Sequence, residues 1–238
     1  MKLDILAIGV HPDDIELSCA GTLLKHISLG KKCGILDLTA GELGTRGSAE
    51  LRLKEAADAA KILGVSVRDN LKMADGFFKN DKEHQLEIIK KIREYQPEII
   101  LCNAVSDRHP DHGRAAALVS DACFYSGLIR IETLLNGLNQ QKWRPKAVYH
   151  YIQDRQLKPD FIVDVTGFVD KKMEAVKAFK SQFHNPESNE PESPISVKNF
   201  LDVVKSKMTV WGRDAGFEFA EGFTVERTIG INNLFHFI

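Results

Sequence analysis

The amino-acid sequence predicts an α/β fold: a doubly wound, mostly parallel sheet with helices on both faces. Two observations carry this expectation. Strand and helix signals alternate four times in the first half of the chain, which calls for right-handed crossovers onto a parallel sheet. The strand segments are also continuous apolar runs, with no wet-and-dry alternation, as in strands covered on both sides. With 238 residues, 43% of them hydrophobic, the chain can bury one sizeable core, and it is read as a single domain over 1–238.

Each element has its own signal. Residues 3–10 (LDILAIGV) are rich in Leu, Ile and Val and read as a central strand. Residues 14–29 place Ile15, Leu17, Leu23, Leu24 and Ile27 at helical spacing, and Gly30 offers a stop. Strand 33–39 leads through a Gly-rich loop to a helix over 48–63 that Gly64 closes. Strand 67–73 precedes a helix over 83–95, ended by Pro97 just before strand 98–104, and a helix over 113–125 follows. Beyond residue 140 come strands at 147–152 and 161–166 and a helix over 168–183. The segment 184–196, rich in Pro, Ser, Glu and Asn, reads as a loop or lid. A helix over 197–210 and a short strand near 217–223 complete the chain.

Lys and Arg total 32 against 33 Asp and Glu, a net charge of −1, so the broad cationic field of a nucleic-acid binder or lipid-surface protein is missing. No apolar stretch approaches the roughly 20 residues that span a bilayer, and the first residues look like a strand, not a signal peptide. A cytoplasmic protein is expected. Cys19, Cys33, Cys102 and Cys123 stand apart among apolar neighbours and read as reduced core thiols.

Two motifs carry chemistry. HPDDIE (residues 11–16) directly follows the first strand, and DRHPDHG (residues 107–113) follows the fourth. Taken alone, an Asp in such a turn is most simply a helix cap. Two His/Asp clusters on loops at one sheet edge are a different matter, because ligands in doubly wound sheets bind beyond the carboxyl ends of the strands. His11, Asp14 and one of His109 or His112 can then meet across a crevice. Two imidazoles and a carboxylate suit zinc in an open site, although Fe(II) accepts the same set. Asp13 remains a free carboxylate, able to take a proton from a water attacking a carbonyl. The imidazole left over, with Asp111 to orient it, can donate to an oxyanion or a leaving amine.

HPDDIE with CAGTLLK, TAGELGTRGSAELRLKEA and DRHPDH resembles the zinc-dependent N-deacetylases of the LmbE-like group, related to phosphatidylinositol-glycan deacetylase (PIG-L). Through RDNLKMADG (residues 68–76) and FAEGF (residues 219–223) the chain is most similar to the members that deacetylate N-acetylglucosaminyl-malate in bacillithiol biosynthesis. The resemblance implies a Rossmann-like, LmbE-like fold and Zn2+ held by His11, Asp14 and His112. It also implies Asp13 as base, and His109, supported by Asp111, as the acid that stabilises the oxyanion. It further implies a small N-acetylated glucosamine conjugate as substrate, held by Arg52 with Arg46 as a second candidate, and a homo-oligomer, hexameric in similar proteins. Where similar proteins supply a tyrosine late in the chain, this sequence has Phe200. Another N-acetylglucosamine conjugate or an oligosaccharide is the alternative substrate. A non-catalytic sugar- or nucleotide-binding module is the alternative of another class, opposed by the acidic HPDDIE where a dinucleotide fold carries G-x-G-x-x-G.

Overall fold

The computed structural model describes residues 1–237; Ile238 lies outside the described residues. A seven-stranded sheet holds the strands in the order β3-β2-β1-β4-β7-β9-β8. These are β1 (Ile5–Gly9), β2 (Cys33–Thr39), β3 (Val67–Met73), β4 (Ile99–Cys102), β7 (Ala147–Tyr151), β8 (Phe161–Asp164) and β9 (Ala220–Val225). The first five in that order run parallel, whereas β9 lies antiparallel between β7 and β8. Strands β1 and β2 are buried along their whole length, as their unbroken apolar runs predict. One apolar cluster, built around Leu6, Ile8, Leu36, Ile92 and Leu118, covers one face, and another, around Ile15, Leu23, Ile35, Ala59 and Phe179, covers the other.

Helices α3 (Ala49–Leu63) and α4 (Lys82–Tyr95) follow the sequence closely, capped by the side chains of Ser48 and Asp81. Four expectations are corrected. The helix expected over 14–29 is two, α1 (Asp14–Ser18) and α2 (Ala20–Ser28), broken at Cys19. The second has its own cap from far along the chain: the Glu221 carboxylate accepts from Gly21 N at 2.9 Å and Thr22 N at 2.7 Å. Helix α5 (Pro110–Ser126) starts three residues before the expected 113, because Pro110 is preorganised for the first turn and His109 caps it. Helix α6 (Val169–Lys177) is shorter than expected, and α7 (Phe200–Asp214) is displaced a few residues toward the C-terminus. A hairpin of β5 (Leu134–Leu135) and β6 (Leu138–Asn139) adds to the expected elements, with Asn136 and Gly137, both at positive φ, forming the usual Asn-Gly turn. All four cysteines are buried free thiols.

Beneath the sheet edge, Arg68 of β3 bridges two buried carboxylates, with Nη1 2.5 Å from Glu16 Oε1 and Nε 2.7 Å from Asp37 Oδ2. Burial pushes both carboxyls up and the guanidinium holds them back. Arg68→Met leaves two acids buried without a counter-ion and is expected to cost about 3–5 kcal/mol. Urea unfolding checks this, and a loss below about 1 kcal/mol would show that the pair needs no partner.

Candidate active site

In the sheet, β1 lies beside β2 on one side and β4 on the other, so the chain order reverses between β1 and β4. The turns after these two strands open into one crevice. The loops after β2, β3 and β7 reach the same edge, and together they line a pocket of about 420 Å3.

The turn after β1 is unusual from its backbone up. Asp13 sits at φ 123°, ψ −22°, a conformation that L-residues rarely adopt, and its side chain caps nothing. Asp14 does not cap α1 either: its Oδ2 accepts from Val10 N and His11 N, both at 3.0 Å, and from Asn103 Nδ2 at 2.9 Å. The simple capping role is therefore excluded for both. Asp14 Oδ1 accepts from Gln153 Nε2 at 2.5 Å and lies 3.3 Å from His112 Nε2. Donor atoms of His11, Asp14 and His112 all lie within 4.8 Å of one another, close enough to share an ion. The set His11, His109 and Asp111 meets the same distance criterion, so proximity alone leaves two arrangements.

The two sets differ in their surrounding bonds. His11 Nε2 pairs with Asp75 Oδ1 at 2.9 Å and His112 Nδ1 with Asp107 Oδ2 at 2.6 Å. Each imidazole thus has one nitrogen fixed by a carboxylate and the other, His11 Nδ1 or His112 Nε2, on the side of Asp14, the pattern of metal-binding histidines. His109 Nδ1 accepts from Asp111 N at 3.3 Å, an arrangement that leaves the proton on Nε2. The Asp111 carboxylate bonds to Gly76 N at 2.9 Å and Arg114 Nη1 at 2.8 Å. Its support for His109 therefore runs through the backbone of the first helical turn, not through the carboxylate.

Charge favours a cation here. Asp13, Asp14, Asp75, Asp107 and Asp111 are all buried, with Arg52 as the buried guanidinium among them. Burial lowers the basicity of His112, but Asp14 and Asp107 outweigh it and push its pKa up to about 10. These buried carboxylates around the imidazoles offer the negative field and the donor set that a divalent ion requires. Burial raises the Asp13 carboxyl to about 6, against the pull of Arg52. Asp75 and Asp107, raised by burial but held more strongly by hydrogen bonds from His11 and His112 respectively, both fall to about 2.

Both arginines expected to hold substrate line the pocket. Arg52 is buried: its Nη2 donates to Asp13 Oδ2 at 2.9 Å and Pro12 O at 3.1 Å, while its Nε has no hydrogen-bond partner among the described residues. Gly41, at positive φ, makes this possible, since a Cβ there would lie 2.3 Å from Arg52 Nη1. Arg46 borders the pocket, but its guanidinium binds Ser181 O at 2.9 Å and Pro191 O at 3.3 Å, fastening the 184–196 segment over the site. Three residues without a role in the sequence reading matter here: Asp75, Asp107 and Gln153. The first two lie inside quoted motifs, at the ends of strands already placed at the right edge; Gln153, just after β7, had only that position to mark it.

Asp107→Ala is expected to leave the fold intact and weaken metal affinity by about 10–100-fold, because His112 loses its orienting partner. Titration with a competing chelator measures this, and unchanged affinity would remove Asp107 from the account.

Known proteins give independent information. The model of the family described as GlcNAc-PI de-N-acetylase (PIG-L) matches residues 6–123. The crystal structure of the conserved protein TT1542 from Thermus thermophilus is 32% identical, covers 97% of this chain and 98% of that one, and superposes with a TM-score of 0.84. Diacetylchitobiose deacetylase of Thermococcus kodakarensis is 28% identical over 92% of this chain and 81% of its own. The probable N-acetyl-alpha-D-glucosaminyl L-malate deacetylase 2 of Bacillus anthracis is 26% identical over 75% of this chain and 81% of its own.

Proposed function

This chain belongs to the PIG-L, or LmbE-like, family, and from that premise we propose that it is a metal-dependent hydrolase removing the N-acetyl group from a glucosamine conjugate. The observation that carries the reading is the His11–Asp14–His112 cluster, with Asp13 beside it and free of it. We assign the ion as zinc, from its preference for imidazole and carboxylate donors, and the chain 1–238 as one catalytic domain. When bound, such an ion polarises the amide carbonyl and acidifies a water.

The side chains supply the rest. Asp13, desolvated and steered by Arg52, is the base that takes the proton of the attacking water. His109 donates its Nε2–H to the developing oxyanion, and the proton that Asp13 took from the water passes to the departing amine. Arg52 acts on catalysis through Asp13, and Asp75 and Asp107 act through His11 and His112. Acetate and a free amine leave.

The relatives' names support the substrate class: one is a diacetylchitobiose deacetylase, the other a probable N-acetyl-alpha-D-glucosaminyl L-malate deacetylase. We favour N-acetylglucosaminyl-malate, on the motif similarity of residues 68–76 and 219–223, with N,N′-diacetylchitobiose as the competitor that the Thermococcus relative suggests. Among the described residues no helix is long and apolar enough to cross a membrane. A small polar substrate met in the cytoplasm, and a hexameric assembly, complete the proposal.

Amine release measured on N-acetylglucosaminyl-malate, N,N′-diacetylchitobiose and free N-acetylglucosamine tests this. At least a tenfold preference in kcat/KM for the malate conjugate is expected. Preference for chitobiose would move the substrate within the class, and no amine from any of the three would overturn the deacetylase reading.

A further inference from the structure

A second cavity, of about 60 Å3, adjoins the catalytic pocket, and Leu17, Arg108, His112, Gln153 and Ile195 line both. Beyond this common wall its character changes. The catalytic pocket is lined by imidazoles, carboxylates and arginines, whereas the second cavity is walled largely by hydrocarbon, from Ile152, Phe200, Val204, Met208 and Trp211. Its charged side chains are paired: Lys172 Nζ lies 2.6 Å from Glu221 Oε1, Lys207 Nζ donates to the carbonyls of Gln153 and Asp154, and Arg108 donates to the Asp154 carboxylate. Ser18 also lines it, and the buried Ser18 Oγ finds no hydrogen-bond partner among the described residues. An apolar chamber with a spare hydroxyl, one side chain away from the metal donors, is built to receive part of a ligand.

We propose that this cavity is the acyl-side subsite, and that it accepts straight acyl chains of up to about four carbons on the scissile amide. The proposal rests on the hydrolase reading above. An amide carbonyl placed between Asp13, His109 and the metal donors has two substituents to accommodate. The amine side carries hydroxyls and suits the open, charged pocket; the acyl side carries only C–H and suits the hydrocarbon chamber beyond His112. Size agrees: one water needs roughly 10–15 Å3 on this measure, so the cavity admits about four heavy atoms, more than an acetyl methyl uses. Phe200, where similar proteins are expected to carry a tyrosine, keeps this wall apolar; it stacks on Phe183 with ring centroids 6.1 Å apart.

Two measurements on the zinc-loaded protein test the proposal. In the first, glucosaminyl-malate bearing N-acetyl, N-propionyl or N-butyryl is hydrolysed by the wild type and by Val204→Phe, which fills the chamber. Butyryl kcat/KM is expected within about tenfold of acetyl in the wild type, and the butyryl-to-acetyl ratio is expected to fall at least tenfold in the variant. In the second, acetate, propionate and butyrate are bound calorimetrically, with affinity rising about fourfold per methylene if each is buried. Acetyl hydrolysis with butyryl more than a hundredfold slower, or a ratio unmoved in Val204→Phe, overturns the subsite. So does butyrate that binds no tighter than acetate. Butyrate binding tightly while no amide is cleaved would uphold the chamber as a short-chain acyl site and overturn the hydrolase reading instead.

Discussion

Asp13→Asn is expected to lower kcat by about 10²–10⁴-fold while the protein binds its metal as tightly as the wild type. Asparagine is the informative replacement because Asp13 sits at φ 123°, where asparagine fits better than most residues, so little of the loss can come from backbone strain. The amide keeps the shape of the carboxylate and a hydrogen-bond acceptor for Arg52, but it cannot take a proton. The donor atoms of His11, Asp14 and His112 are untouched, which is why metal content and rate should separate. Steady-state kinetics beside metal analysis of the same sample gives the answer. Turnover within tenfold of wild type would remove Asp13 as the base, and loss of metal would make it a ligand.

The complementary expectation concerns His112. His112→Ala should lose the bound ion and with it all measurable activity, since two donors from one turn cannot replace three from both sides of the crevice. His109→Ala should keep the ion and lose rate, because its Nε2 faces substrate in this account and its Nδ1 caps α5. That contrast decides between the two overlapping donor sets that distance alone allows. If His109→Ala sheds the metal and His112→Ala retains it, the ligand assignment is reversed and the roles of Asp75 and Asp107 must be redrawn.

Much of this arrangement is legible in the chain before any coordinates. The convergence of HPDD and RHPDH needs only two facts: that both motifs end central parallel strands, and that right-handed winding places β1 beside β4. What stays hidden depends on partners distant in sequence. Nothing local to Arg52 says that it passes Gly41 to reach Asp13, and nothing local to Arg46 says that it fastens residues 190 and 191. The break at Cys19 is equally unreadable, because the carboxylate that starts α2 lies 200 residues away at Glu221. Helix α5 is the instructive miss. Its early start at Pro110 was written in the sequence as a proline at the first helical position, and it puts Asp111 and His112 on a rigid turn instead of a loop.

The central claim is that one divalent ion bridges the turns after β1 and β4. Anomalous diffraction from crystals grown with zinc, recorded on both sides of its absorption edge, locates that ion directly. A single strong peak is expected about 2.0–2.2 Å from His11 Nδ1, a carboxylate oxygen of Asp14 and His112 Nε2, with Asp13 outside the coordination sphere. A peak held instead by His109 and Asp111, or no peak at full zinc loading, would contradict it.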